Sequence, residues 1–72
     1  MVEPAIELMR VTAAACDRGV VSPADRDLII KTRCLGVAAR ELAEASGSTY
    51  DAVKRRRLRA EARIADHVMA AA

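Results

Sequence analysis

Apolar residues recur along this chain at three- and four-residue steps, and no stretch alternates apolar and polar over the length of a strand. That spacing gathers them on one side of a helix and predicts an all-α chain. Ile6, Met9, Ala13, Cys16 and Val20 follow a 3-4-3-4 spacing. They predict the inward face of a first helix over residues 4–18. Pro4 suits a first helical turn, where its missing N–H costs nothing. Glu3 and Glu7 near the start, and Arg10 and Arg18 further on, suit the helix dipole. Gly19 is the expected stop.

A second helix is predicted from Ser22-Pro23-Ala24-Asp25. Ser22 is a good N-cap and Pro23 fits the first helical position. Asp25 stands third, where a carboxylate can complete a capping-box-like arrangement. Val21, just before the cap, can act as a staple. Leu28, Ile29, Thr32 and Leu35 give the expected core stripe, with Arg26, Asp27, Lys31 and Arg33 mostly outside, and Gly36 ends the helix. A third helix over residues 38–45 points Leu42 and Ala43 inward and Arg40, Glu41 and Glu44 outward. It starts without a polar cap, because Ala38 has no hydroxyl; such an absence costs about 1 kcal/mol relative to Ser or Thr.

Ser46-Gly47-Ser48 makes the next turn, and Gly47 can take a positive φ cheaply. Ser48 or Thr49 caps the fourth helix. Ser48 is favoured because Asp51 lies three residues on. This helix is expected over residues 49–69, about 30 Å long at 1.5 Å per residue. Val53, Ala60, Ile64 and either His67 or Val68 form its inward stripe. Leu58, Ala62, Ala65 and Met69 form a second, adjacent stripe, expected to pack on the first helix, on a second copy of the chain, or both. The expected architecture is a small four-helix domain ending in a long helix. Residues 1–21 form an N-terminal helix and connector, and 22–69 hold a helix-turn-helix.

Length and composition narrow the energetics. Seventy-two residues make one domain with one small core, and a chain of this size buries only about 60% of its unfolded surface. Hydrophobic residues make up 53% of it, but much of that is Ala; there is no Trp or Phe, and Tyr50 is the single aromatic. Such a core allows close helix packing with little area per residue, so dimerisation, DNA or flanking sequence would each add stability. Cys16 and Cys34 lie eighteen positions apart without a CxxC pair or a His cluster. Count alone permits a disulfide, but apolar helical settings favour buried free thiols. The N-terminus lacks a signal-peptide pattern. No run approaches the ~20 apolar residues that span a bilayer. The expected setting is cytoplasmic and nucleoid-associated, with no membrane partner.

The net charge is only +2, but its distribution is uneven. Residues 1–53 hold six Lys/Arg and eight Asp/Glu, a balance of −2, whereas residues 54–72 hold six and two, a balance of +4. Five of the six residues from Lys54 to Arg59 are cationic. A cationic helix behind a tight helical turn points to a helix-turn-helix on double-stranded DNA. With Val53 inward, Asp51, Lys54, Arg55 and Leu58 project outward. Lys54 and Arg55 are the candidates for base edges, since Arg can pair with guanine O6 and N7. Arg56 and Arg59 suit flanking phosphates. Arg57 either snorkels along the core edge or pairs with Glu44, Glu61 or a carboxylate of the first helix. Thr49, Tyr50 and Asp51 stand where a recognition helix enters the groove. Tyr50 either touches a phosphate or thymine methyl or anchors the core; Asp51 either accepts from cytosine or caps the helix. Arg40 is placed to hold a phosphate.

Val21 to Ile64, about 44 of the 72 residues, resembles region 4 of bacterial sigma factors, the domain that reads promoter DNA. The matching residues are Ser22-Pro23 with Asp25-Arg26, then Gly36, Leu42-Ala43-Glu44, Gly47, and Val53, Lys54, Arg56, Arg59 and Ala60 in "AVKRRRLRA". The arginine-rich tail is similar to sigma-like proteins of actinobacteria. The four-helix output domain of response regulators shares the Ala-x-x-x-Gly and Val-Lys features and is a second relative. The chain departs from the sigma pattern at Ser46, Ser48 and Arg57, where the family carries apolar anchors, and at Ala38, which replaces a polar cap. The resemblance implies a sigma-like DNA-binding domain, either a stand-alone regulator or an excised domain. Region 4-like domains also bind RNA polymerase, anti-sigma proteins and activators, which makes a protein-interaction module the alternative. A homodimer would place DNA half-sites about one helical turn apart. His67 has no partner at metal spacing, Glu41 and Glu44 are helix-surface charges, and no nucleophile–base set or phosphate loop is present. The expectation is a non-enzyme without a cofactor or a metal.

Overall fold

The computed structural model of the chain describes residues 3–71. Four helices follow in order: α1 (Pro4–Asp17), α2 (Pro23–Ile29), α3 (Ala39–Ser46) and α4 (Tyr50–Ala71). A π-helical turn, Ile30–Cys34, extends α2. The described residues contain no strand, so the chain is all-α. Gly19 ends α1 in the left-handed region, φ 75. The turn is closed by Val20 N–H donating to the Ala15 carbonyl at 2.9 Å. Ser22 caps α2, its hydroxyl accepting from Asp25 N–H at 3.1 Å.

Two hydrophobic clusters meet along α4. Ala15, Val21, Ile29, Ala60 and Ile64 form the first, bordered by Val11, Cys16 and Val20. Leu28, Ala43 and Val53 form the second, bordered by Ala39 and Leu42. The adjacent residues Leu28 and Ile29 each enter a different cluster, so α2 sits between them. The first cluster fastens α1 to the distal half of α4; the second fastens α3 to its proximal half.

The inward face of α1 differs in phase from the expected one. Thr12 and Ala15 are its buried residues, while Ile6 is 50% and Met9 37% exposed. The Thr12 hydroxyl donates to the Leu8 carbonyl at 2.7 Å. Its polar group is thereby satisfied inside the helix, which removes the penalty of burying it. Ala15 is small enough to let the helices approach closely. Fit decided the face over hydrophobicity.

Leu35 also leaves its expected place in the core and is 62% exposed. Its N–H donates five residues back, to Ile30 at 3.0 Å, and Val37 N–H reaches Lys31 at 2.9 Å. The added residue in this wide turn carries Leu35 off the stripe. Both thiols are free and half-buried. Cys34 points at the Ala5 carbonyl, 3.5 Å away, and Cys16 lies 3.9 Å from an Arg26 nitrogen. No helix among the described residues is long and apolar enough to cross a membrane.

Candidate nucleic-acid interface

The turn between α3 and α4 is built by backbone. Gly47 takes φ 70, and Ser48 N–H donates to the Ala43 carbonyl at 2.9 Å, closing α3. A Cβ on Gly47 would meet nothing within 4 Å. The demand for glycine there is therefore conformational, not spatial. Thr49, not the favoured Ser48, caps α4: its hydroxyl accepts from Ala52 N–H at 3.1 Å and its carbonyl from Val53 N–H at 3.1 Å. Ser48 has its backbone committed to ending α3, so the next residue opens α4. α3 begins at Ala38 with no side-chain cap, as expected.

At about 100° per residue, Val53, Ala60 and Ile64 set the inward meridian of α4. All three are buried. His67 is half-buried and Val68 exposed, so His67 continues the stripe. Asp51, Lys54, Arg55 and Leu58 are exposed on the opposite side. Among the described ion pairs, none involves Lys54, Arg55 or Arg59. Arg40 is exposed at the start of α3, its guanidinium 5.5 Å from the Tyr50 ring centre. Tyr50 is 42% exposed and joins neither core cluster. Thr49 is occupied by capping, while Asp51 faces outward.

The remaining two cations of the basic run are bound internally. Arg56 Nε donates to Asp25 Oδ1 at 2.7 Å, and the Asp25 side chain is only 12% exposed. Asp25 thus holds α4 where the capping-box expectation had it turn back on its own helix. Arg57 lies on the inward edge with 15% of its side chain exposed and its Nε 3.7 Å from Glu61. That is an ion-pair distance but too long for a hydrogen bond, and the Nε is buried without a hydrogen-bond partner. Glu61 instead accepts from Arg33 Nε at 3.0 Å and Nη2 at 3.2 Å. Hydrogen bonding and attraction to Glu61 raise the Arg33 pKa above the ordinary arginine value, and Asp27 does the same for Arg26. Neither guanidinium titrates in the working pH range.

These contacts hold α4 although Ser46 and Ser48 bring no apolar anchor to the turn. The two serines are exposed and line a groove of about 440 Å³ between α2, α3 and α4. Asp25–Arg56 fastens one flank of α4 to α2, and Arg33–Glu61 fastens the other to the π-helical turn. Glu61 is one expected partner for Arg57, but the pairs Asp25–Arg56 and Arg33–Glu61 do not follow from the sequence. Their members lie 31 and 28 residues apart, and no local spacing signals such a pair. The eight candidates therefore divide. Lys54, Arg55 and Asp51 share the outer face of α4, Arg40 and Tyr50 stand together at one side, Arg56 and Arg59 flank the start of α2, and Thr49 caps α4. Comparison with family models, with curated proteins and with solved structures finds no match to this chain.

Proposed function

We propose that the chain binds double-stranded DNA in a sequence-specific manner, with α3, the Gly47 turn and α4 acting as a helix-turn-helix in transcriptional control or a related DNA transaction. The observation that carries this reading is the sorting of the basic run. Arg56 and Arg57 are bound internally, while Lys54, Arg55 and Arg59 stand exposed without a carboxylate partner among the described residues. Exposed cations on one helix face suit a polyanion, and the free fork of Arg55 suits guanine O6 and N7. Lys54 and Arg55 take the base-reading role, with Asp51 beside them. Arg59 and Arg40 hold phosphates on either side and fix the register. Arg56 serves first as the clip to Asp25. The resemblance to sigma region 4 agrees with this assignment.

The test is a selection from a random duplex library with the wild-type chain and with Lys54→Ala/Arg55→Ala. The wild type should enrich a defined site; the double variant should keep weak binding and lose the enrichment. An unchanged selected site in the double variant rejects the assignment. A second reading, a module that binds RNA polymerase or another regulator, draws on exposed Leu58, Val68 and Met69. Under it, the chain captures its protein partner and enriches no duplex.

A further inference from the structure

The second apolar stripe of α4 is exposed and joins neither core cluster among the described residues. Leu58 is 49% and Met69 75% exposed, and Ala62 and Ala65 between them are also exposed. Val68, at the edge of the stripe, is 47% exposed. The buried residues that join the first core cluster, Ala60 and Ile64, lie on another meridian of the same helix. The stripe thus lies on the outer side of the helix.

Its pattern is palindromic. The four residues step by 4, 3 and 4 positions, with a large side chain at each end and alanine at both inner places. A contact between two identical surfaces about a two-fold axis requires such self-complementarity. Laid antiparallel, Leu58 of one copy faces Met69 of the other, and Ala62 faces Ala65. The central alanines admit close approach of the backbones, and the outer pair fills the ends. The flanking charges obey the same symmetry. Arg59 and Asp66 lie on one flank of the stripe, both exposed. Neither takes part in a described ion pair. The antiparallel register brings Arg59 of one copy within two residue rises, about 3 Å along the axis, of Asp66 of the other. This happens twice, once at each end.

We propose that the distal outer face of α4 is a self-association surface on which a second copy of this chain docks antiparallel. The contact involves far fewer than the roughly 20–30 residues a side of a standard interface. The dimer is accordingly weak and exchanges with monomer. It has a consequence for DNA, which rests on the function proposed above. Lys54 and Arg55 stand on either side of the meridian shared by Leu58 and Ala62, and the α4 of the docked copy runs toward them. The two readers of such a dimer point in opposite directions and cannot lie along one duplex. Dimer and DNA complex therefore exclude each other, and the half-site arrangement expected of a homodimer does not arise from this face.

Sedimentation equilibrium from micromolar to millimolar chain, with and without random duplex, tests the proposal. The wild type should pass from monomer to dimer across that range. Ala65→Glu should remain monomeric with unchanged helical circular dichroism. Asp66→Arg should weaken the dimer about tenfold, as loss of a charge pair does, and Arg59→Asp added to it should restore the affinity. A wild type that stays monomeric throughout overturns the proposal. So does an Ala65→Glu variant that associates like the wild type, or a charge exchange that restores nothing. Added duplex should shift the wild type from dimer to DNA-bound monomer. A dimer with no affinity for any duplex leaves the surface standing and removes the DNA function; a dimer that persists intact on DNA overturns the competition.

Discussion

At the scale of single residues, five of six consecutive positions carry cations with different duties. Arg55 and Arg56 are neighbours of one type, yet of the two only Arg56 forms an ion pair among the described residues, with Asp25 at 2.7 Å. The Asp25 side chain is 12% exposed and that of Arg56 is 53% exposed. Removing Arg56 strips a nearly buried carboxylate of its charged donor. Such a loss costs about 1–3 kcal/mol, and the half-exposed arginine puts this pair at the low end. Arg56→Ala should therefore lower the urea midpoint by an amount equivalent to about 1 kcal/mol. Arg55→Ala should stay within about 0.5 kcal/mol of wild type, as surface changes do. Equal destabilisation by the two variants would remove the clip from the account.

At the scale of elements, the start of α4 depends on one hydroxyl. Thr49 accepts from Ala52 N–H, whereas the Ser48 N–H closes α3. Thr49→Ala should destabilise the chain by about 1 kcal/mol, the usual worth of an N-cap, and Ser48→Ala by less than about 0.5 kcal/mol. Thermal or urea melts of the two variants settle the order, and a larger loss at Ser48 would reverse the assignment. The elements themselves were readable because caps and stops are local. Pro4, Ser22-Pro23 and the glycines at 19, 36 and 47 mark helix ends within a few residues of where they fall. Faces were less readable. Thr12 buries itself by bonding its own helix, and the π-helical turn moves Leu35 outward; neither event shows in apolar spacing. The exposed cations of the candidate site were visible as a run. Of their division into free and bound, only the i, i+4 option of Arg57 with Glu61 was visible; Asp25–Arg56 and Arg33–Glu61 form only after the helices pack.

At the scale of the whole molecule, the fold converts an almost neutral composition into a one-sided charge. Asp25 and Glu61 pair with Arg56, Arg57 and Arg33, which leaves Lys54 and Arg55 on the outer side of α4 and Arg59 exposed on its flank. For duplex DNA, each phosphate neutralised at a fixed contact adds about 0.9 to the slope of log affinity against log salt. Arg59→Ala, at a phosphate, should therefore flatten that slope by about one, while Lys54→Ala and Arg55→Ala, at base edges, should chiefly lower affinity for the selected site and relax discrimination. Arg57→Ala removes the same formal charge from the same stretch, but its side chain is 15% exposed and lies against Glu61. It should leave the slope unchanged at a temperature where the variant remains folded. Fluorescence anisotropy on the selected duplex across a salt series measures all four. If the four variants flatten the slope equally, binding depends on total charge, and the sorting of the cations by Asp25 and Glu61 has no part in it.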